Sequence, residues 1–434
     1  MKKFLCLALS LILLPVFAAA EEDFTARFVF DLIQAGDFPA VYALFDRTMQ
    51  KALPEDQLRM VFSSLEASFG PVVSVGEEIT SHAEQYRVAS LPVHYEKAGV
   101  TLHVTWQEDR IAGLFYTMLD ETPEELPERI VEESVQVGVP VLEGLLALPQ
   151  DLKTPVPAVV LLHGSGPNDR DETIGNTKLF RDLAYGLAQR GIAALRYDKR
   201  TYAYADAYAK EDLTAFTVSE ESIADAVAAA RLLQADPRID PERIYLIGHS
   251  MGAMIAPRIA QEHPGLFAGI ILLSGTPKTL ADIVLSQNQA IVDALPAVAK
   301  ALGTIQMQGL NKEWKNVLNG TGEEAKKKTV FGQPAYYFWE MAQYDTGEIL
   351  KSLDIPVLII NGGCDFQVID ADGIVAWNAL ALPENVQIVY HPELNHLLMN
   401  PEAPENVKGT VKEYDISCRV SDDILYEIAQ FILD

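Results

Sequence analysis

The chain opens with an apolar run. Residues 4–17 are almost entirely apolar; Met1-Lys2-Lys3 precedes them, and Ala18-Ala19-Ala20 and then Glu21-Glu22-Asp23 follow. About 14 apolar residues are too few for a comfortable membrane span, and small residues before a polar start suit a cleavage site. Residues 1–20 are therefore expected to be a secretory signal peptide, with an uncleaved N-terminal anchor as the alternative. Cys6 lies inside the run without the small residues that precede a lipid-modified cysteine. The expected location is periplasmic or secreted, with no stable membrane anchor.

Next come two stretches of helical spacing. Phe24, Phe28, Leu32 and Ile33 share one face, followed by Phe38, Val41, Leu44 and Phe45, so that residues 23–49 read as helical. Residues 55–69 repeat the pattern with Leu58, Val61, Phe62 and Leu65, behind Pro54. From Gly70 the period becomes two, and residues 86–93, 100–107 and 111–117 predict three antiparallel strands joined by short turns. Residues 21–122 thus predict a small α+β domain. In it His82, His94 and His103 alternate into strands as core or surface residues, and no acid/base pair stands out. Residues 120–128, with two prolines and five acids, read as a linker.

After the linker, strands and helices alternate. "RIVEESVQVG" and "LEGLLAL" predict an opening antiparallel pair. "AVVLLHG", "GIAALRYD", "RIYLIGHS", "GIILLSG", "IPVLIINGG" and "VQIVY" predict strands, most of them continuous apolar runs, as burial on both faces requires. Amphipathic helices fall at residues 178–190 and 219–236, the second with Ser219 as N-cap. The predicted fold class is α/β, a doubly wound, mostly parallel sheet over residues 123–434. About 75 residues between "GIILLSG" and "IPVLIINGG" exceed what the sheet needs. They predict a helical cap over about residues 277–350, with a helix at residues 282–302 and an aromatic cluster that includes Tyr336 and Trp339.

The chain has 434 residues, 61 acidic and 34 basic, for a formal charge of −27. A deficit of Lys and Arg argues against nucleic acid or an anionic membrane surface as the main partner. After cleavage only Cys364 and Cys418 would remain, either bridged or as two separate buried thiols.

The chemistry concentrates at Gly248-His249-Ser250-Met251-Gly252. This is G-x-S-x-G after an apolar strand and before a helix, where a strained turn lifts a serine hydroxyl above the sheet. Such a serine needs a base, and the base a carboxylate, in the chain order Ser, Asp, His. Asp365 ends a buried run and is preferred over Asp370 and Asp372, which begin the next helix. Of the two later histidines, His396 lies five residues into a loop and is preferred over His391, which abuts the strand. The turn His163-Gly164-Ser165-Gly166-Pro167 offers the Ser165 N–H as an oxyanion donor beside the Met251 N–H.

These pieces resemble the α/β-hydrolase superfamily. "VVLLHGSGPNDRDETIGN" with "LAQRGIAALRYDKR" is similar to bacterial serine hydrolases of the dienelactone-hydrolase and acyl-hydrolase type. The resemblance covers about residues 130–434 and maps a triad onto Ser250, Asp365 and His396. Its polar loop beside the site corresponds to residues 168–171, which makes Asn168 and Arg170 candidate substrate contacts, with Tyr336 and Trp339 as candidates in the cap. The first domain, through "LIQAGDFPAVYALFDRTMQKALPEDQLRMVF", "FGPVVSV" and "DRIAGLFYTML", resembles the small domain ahead of many bacterial α/β-hydrolases, a relative of the ketosteroid-isomerase-like cone. The expected function is a serine carboxylic-ester hydrolase acting on small-molecule esters without metal or cofactor. A peptidase or thioesterase of the same fold is one alternative, and a silent cell-wall or glycan binding protein is another.

Overall fold

The structure is a computed structural model; it describes residues 25–434 except 77, 84–85, 97–98, 120–125, 209 and 405–406. The expected signal peptide and most of the expected linker lie outside the described residues. The chain divides into two compact units, Met1–Glu125 and Leu126–Asp434.

Among the described residues of the first unit four helices, α1 (Ala26–Gln34), α2 (Phe38–Leu44), α3 (Arg47–Ala52) and α4 (Glu55–Phe69), precede five strands. These are β1 (Val72–Val75), β2 (Ile79–Ala83), β3 (Tyr86–Tyr95), β4 (Gly99–Gln107) and β5 (Arg110–Leu119). The strands form one antiparallel sheet in the order β1-β3-β4-β5, with β2 also paired to β3. The long helical pattern before residue 49 is cut into three because Asp37 and Asp46 accept the backbone N–H groups of Ala40 and Met49. Aspartate at an N-cap satisfies a donor the helix cannot, so it starts a new helix rather than continuing one. Leu91, Leu102, Val104 and Trp106 on one sheet face pack against Val29, Phe30, Ile33 and Leu58. On the other face, His103 sits between the hydroxyls of Ser90 and Thr117, at 2.9 Å from each, and stacks on Phe115.

In the second unit the sheet strands are β6 (Ile130–Val137), β7 (Leu142–Pro149), β8 (Val156–Leu162), β9 (Ala193–Tyr197), β10 (Ile239–His249), β11 (Gly269–Leu273), β12 (Val357–Gly362) and β13 (Val386–His391). Their order is β13-β12-β11-β10-β8-β9-β7-β6. The six from β13 to β9 run parallel, and β7 and β6 complete the sheet antiparallel. Alternation of side chains sends each central strand into two cores. Val159, Leu161, Ile247 and Ile271 meet α5 (Leu179–Gln189) and the C-terminal helix (Asp422–Leu433). Val160, Leu162, Leu246 and Ile270 meet α6 (Ala224–Ala235) and α7 (Met251–Glu262). Trp377 belongs to this second core and donates its indole N–H to the Gly275 carbonyl.

The insertion between β11 and β12 contains α8 (Leu280–Asp293), α9 (Ala297–Leu318) and α10 (Ala335–Met341). It has its own core, with Leu285, Met307, Trp314, Val317 and Phe338. The expected helix at residues 282–302 is two helices, because Pro296 lacks the N–H that would carry α8 into α9. Ser219 is not an N-cap: residues 219–223 form a π-turn ahead of α6, and the Ser219 N–H donates to Thr217 Oγ1. Cys364 and Cys418 are two separate free thiols, which corrects the bridged alternative; each is partly exposed where the other alternative expected it buried. Replacing Leu246, fully buried in the central strand, by alanine is expected to lower unfolding free energy by about 2–5 kcal/mol in chemical denaturation.

Candidate active site

Ser250 stands between the end of β10 and the first residue of α7, with φ 53° and ψ −115°. A serine there carries strain of about 1–3 kcal/mol, which the surrounding packing must hold. Its N–H donates to the Leu273 carbonyl at 2.9 Å. The flanking glycines are required by close approach. A Cβ on Gly248 would lie 2.4 Å from the Gly252 carbonyl, and one on Gly252 2.2 Å from the Leu162 carbonyl oxygen. The turn can therefore nest against β8 only with hydrogen at both positions.

Asp365 and His396 come together from the loops after β12 and β13. Asp365 Oδ2 is 2.7 Å from His396 Nδ1, and both side chains are buried. Asp365 Oδ1 accepts the N–H groups of Gln367 at 2.7 Å and Val368 at 2.8 Å. The carboxylate is thus fixed by two backbone donors and presents its other oxygen to Nδ1 of the imidazole, which leaves Nε2 outside this bond. The competitors are engaged elsewhere. Asp370 accepts from the Tyr390 hydroxyl, Asp372 binds Lys278 and Ser286, and His391 faces Glu427.

A cavity of about 480 Å³ is lined by Ser250, Met251 and Ser165 together with cap residues. The four candidate substrate contacts each have partners within the protein. The Arg170 guanidinium is committed to Asp198 through two bonds, at 2.9 and 2.6 Å. The Asn168 amide nitrogen faces the Gly164 and Ser165 carbonyls. Tyr336 and Trp339 stack on each other, and the Trp339 indole donates to the Gly320 carbonyl. Among the described residues lining the cavity, Tyr337 and Phe338 take the place of that pair.

Sequence reasoning missed a buried pair beneath the turn. His249 Nδ1 lies 3.1 Å from Glu172 Oε2, and His249 Nε2 is 3.0 Å from the His396 carbonyl oxygen. Glu172 Oε1 accepts the Gly164 N–H at 2.7 Å. One ion pair thereby joins the serine turn, the His396 loop and the loop that carries Ser165. Burial works against the charge on Glu172, but His249 overcomes it and holds the carboxyl below its ordinary value. Burial likewise opposes His249, and Glu172 raises its pKa above the ordinary value. A second histidine, His163, is buried between Phe180 and Tyr197, and its burial pushes its pKa down.

Stability should follow from these two directions. A depressed Glu172 contributes above its ordinary 4.5 and loses that contribution as pH falls through the lower native value. A raised His249 contributes fully below its ordinary 6.5 and loses it as pH rises through the higher native value. The stability difference between wild type and Glu172→Gln is therefore expected to be largest between pH 4.5 and 6.5 and to shrink on either side. Denaturation midpoints across pH would check it.

Comparison with known proteins agrees with this architecture. A family model described as "Alpha/beta hydrolase family" matches residues 159–409, and one described as "Protein of unknown function" matches residues 26–114. Esterase EstD of Thermotoga maritima is 33% identical over 430 residues, which cover 96% of each chain. Similar solved structures include an esterase of Pyrococcus furiosus, 15% identical with TM-score 0.42 over 72% of this chain and 92% of that one. Est1E from Butyrivibrio proteoclasticus is another, 16% identical with TM-score 0.40 over 65% of this chain and 96% of that one. The family match spans more than half of the chain, and with a relative similar over nearly its full length it makes this protein a member of the α/β-hydrolase family.

Proposed function

We propose that this protein is a serine carboxylic-ester hydrolase working through an acyl-enzyme. The observation that carries the reading is the Asp365–His396 hydrogen bond together with a serine held at positive φ in the wall of a cavity. Ser250 Oγ attacks the ester carbonyl carbon while its proton passes to His396 Nε2. The charge that develops on the carbonyl oxygen is received by the Met251 and Ser165 N–H groups. Collapse breaks the acyl C–O bond, and the leaving alkoxide takes the proton from His396. Water then attacks the acyl-serine with His396 as base, releasing the acid and regenerating the Ser250 hydroxyl. Asp365 keeps the imidazole in one tautomer throughout.

The cavity suits a small or medium acyl or aryl group. Leu213, Phe216, Ile283, Val284 and Phe338 make much of its wall apolar. The charged side chain in the lining is Glu221, and its carboxylate already binds Lys199 and Tyr337. Among the described lining residues there is no Lys or Arg to pair a substrate carboxylate. A neutral ester is favoured, since an acid group would enter without a cation free to pair it. A relative named an esterase, at 33% identity over nearly the whole chain, supports the same reaction class. The proposed site of action is outside the cytoplasm, on the pattern of residues 1–20. Among the described residues no helix is long and apolar enough to cross a membrane.

Ser250→Ala is expected to lower kcat on a short p-nitrophenyl ester by about 10⁴-fold or more while leaving the fold intact. Full activity in that variant would sink the proposal. A p-nitrophenyl hemisuccinate is expected to be cleaved at least about tenfold less efficiently than the butyrate ester, in kcat/KM. Mature protein recovered from the culture medium or periplasm should begin at Glu21 on N-terminal sequencing.

A further inference from the structure

The catalytic scheme asks the Ser165 N–H to point at a developing oxyanion, yet Ser165 lies in an exposed loop. What fixes that loop is a buried lysine. Lys199, at 1% exposure, follows β9 and places Nζ 2.9 Å from the Gly164 carbonyl oxygen and 3.0 Å from that of Gly166. The first contact matters most. The Gly164 carbonyl and the Ser165 N–H belong to one planar trans peptide, so they point in opposite directions. Holding the oxygen on a cation aims the N–H away from that cation. It also draws electron density toward the oxygen, which strengthens the N–H as a donor.

A buried ammonium needs a counter-charge. Glu221 supplies it, with Oε1 3.1 Å from Lys199 Nζ. The other Glu221 oxygen accepts the Tyr337 hydroxyl, from cap helix α10. That hydroxyl also lies 3.4 Å from Met251 Sδ, on the residue supplying the second oxyanion donor. One chain of contacts therefore runs from the cap, through Tyr337, Glu221 and Lys199, to the peptide of Ser165.

We infer that Lys199 is a positioning residue for the oxyanion site, and that Tyr337 and Glu221 make its alignment depend on how the cap is seated. The inference rests on the proposed esterase reading. In it, the cap does more than enclose the acyl group: a substrate that settles the cap so that Tyr337 meets Glu221 also completes the donor pair. The effect belongs to the transition state, because a ground-state carbonyl carries little of the charge that these donors meet.

The test is kinetic. Lys199→Met is expected to lower kcat on a p-nitrophenyl ester by about 10–100-fold, below the about 10²–10³-fold cost of deleting a donor, with KM changed by less than about threefold. Affinity for an aryl boronic acid, whose tetrahedral serine adduct places an oxygen in the oxyanion site, should weaken by the same factor as kcat. Tyr337→Phe should show the same signature at about 3–10-fold. Because Lys199→Met leaves Glu221 buried without its cation, the Lys199→Met/Glu221→Gln variant is measured beside it, and its loss should match. A folded double variant with kcat within about twofold of wild type, or with a loss confined to KM, overturns the role of Lys199. A Tyr337→Phe change confined to KM overturns the coupling to the cap. Fluorophosphonate labelling separates the two levels: wild type unlabelled at Ser250 overturns the esterase reading itself, whereas a labelled enzyme indifferent to Lys199 overturns only this inference.

Discussion

Everything at the site depends on how closely the serine turn nests against the sheet. With Gly248 and Gly252 the backbone passes within hydrogen-only distance of itself and of the Leu162 carbonyl. That approach places Ser250 at the end of β10 and Met251 at the start of α7, with the Ser165 loop emerging from neighbouring β8. The loops of Asp365 and His396 rise from β12 and β13, adjacent strands of the same parallel sheet. Parallel order thus brings together groups far apart in the chain, since each of the six parallel strands delivers its C-terminal end to the same edge.

Around this turn the protein buries charge in pairs that tie loops together. Tyr197 ends β9, and the next three residues each find a partner: Asp198 binds Arg170, Lys199 binds Glu221, and Arg200 binds Asp225. Arg196, in the strand itself, is held by Asp171 and Glu132. Such pairs add little net stability, because desolvation offsets attraction, but removing one partner is costly. Their value here is geometric. They hold exposed loop backbone in one conformation, which a purely apolar contact would leave freer to slide.

The parts legible in the sequence were those with a strict local rule. Buried strands read as apolar runs, and the G-x-S-x-G turn read clearly because strand, turn and helix must follow one another. Asp365 and His396 were found from their places after late strands, and the structure brings their side chains into contact. The missed parts lacked a local rule. Glu172 and His249 are 77 positions apart, and in sequence each looks like an ordinary polar residue. One signal was available: a run of charged residues directly after a buried strand, as in Asp198-Lys199-Arg200, has to be paired. Tyr336 and Trp339 show the reverse case. They sit three apart and share a helix face, but that face stacks on itself, while Tyr337 and Phe338 line the cavity.

The four tryptophans are distributed in a way that makes the molecule report on its own parts. Trp106 is buried in the core of the first unit, and Trp314 and Trp339 belong to the cap. Trp377 lies in the sheet core with its indole bonded to the Gly275 carbonyl, close in sequence to the cavity residues Ser274 and Thr276. Emission from the intact protein is therefore a sum over three separately packed bodies. Variants that keep a single indole would resolve it into one optical signal for the small unit, one for the cap and one for the sheet core.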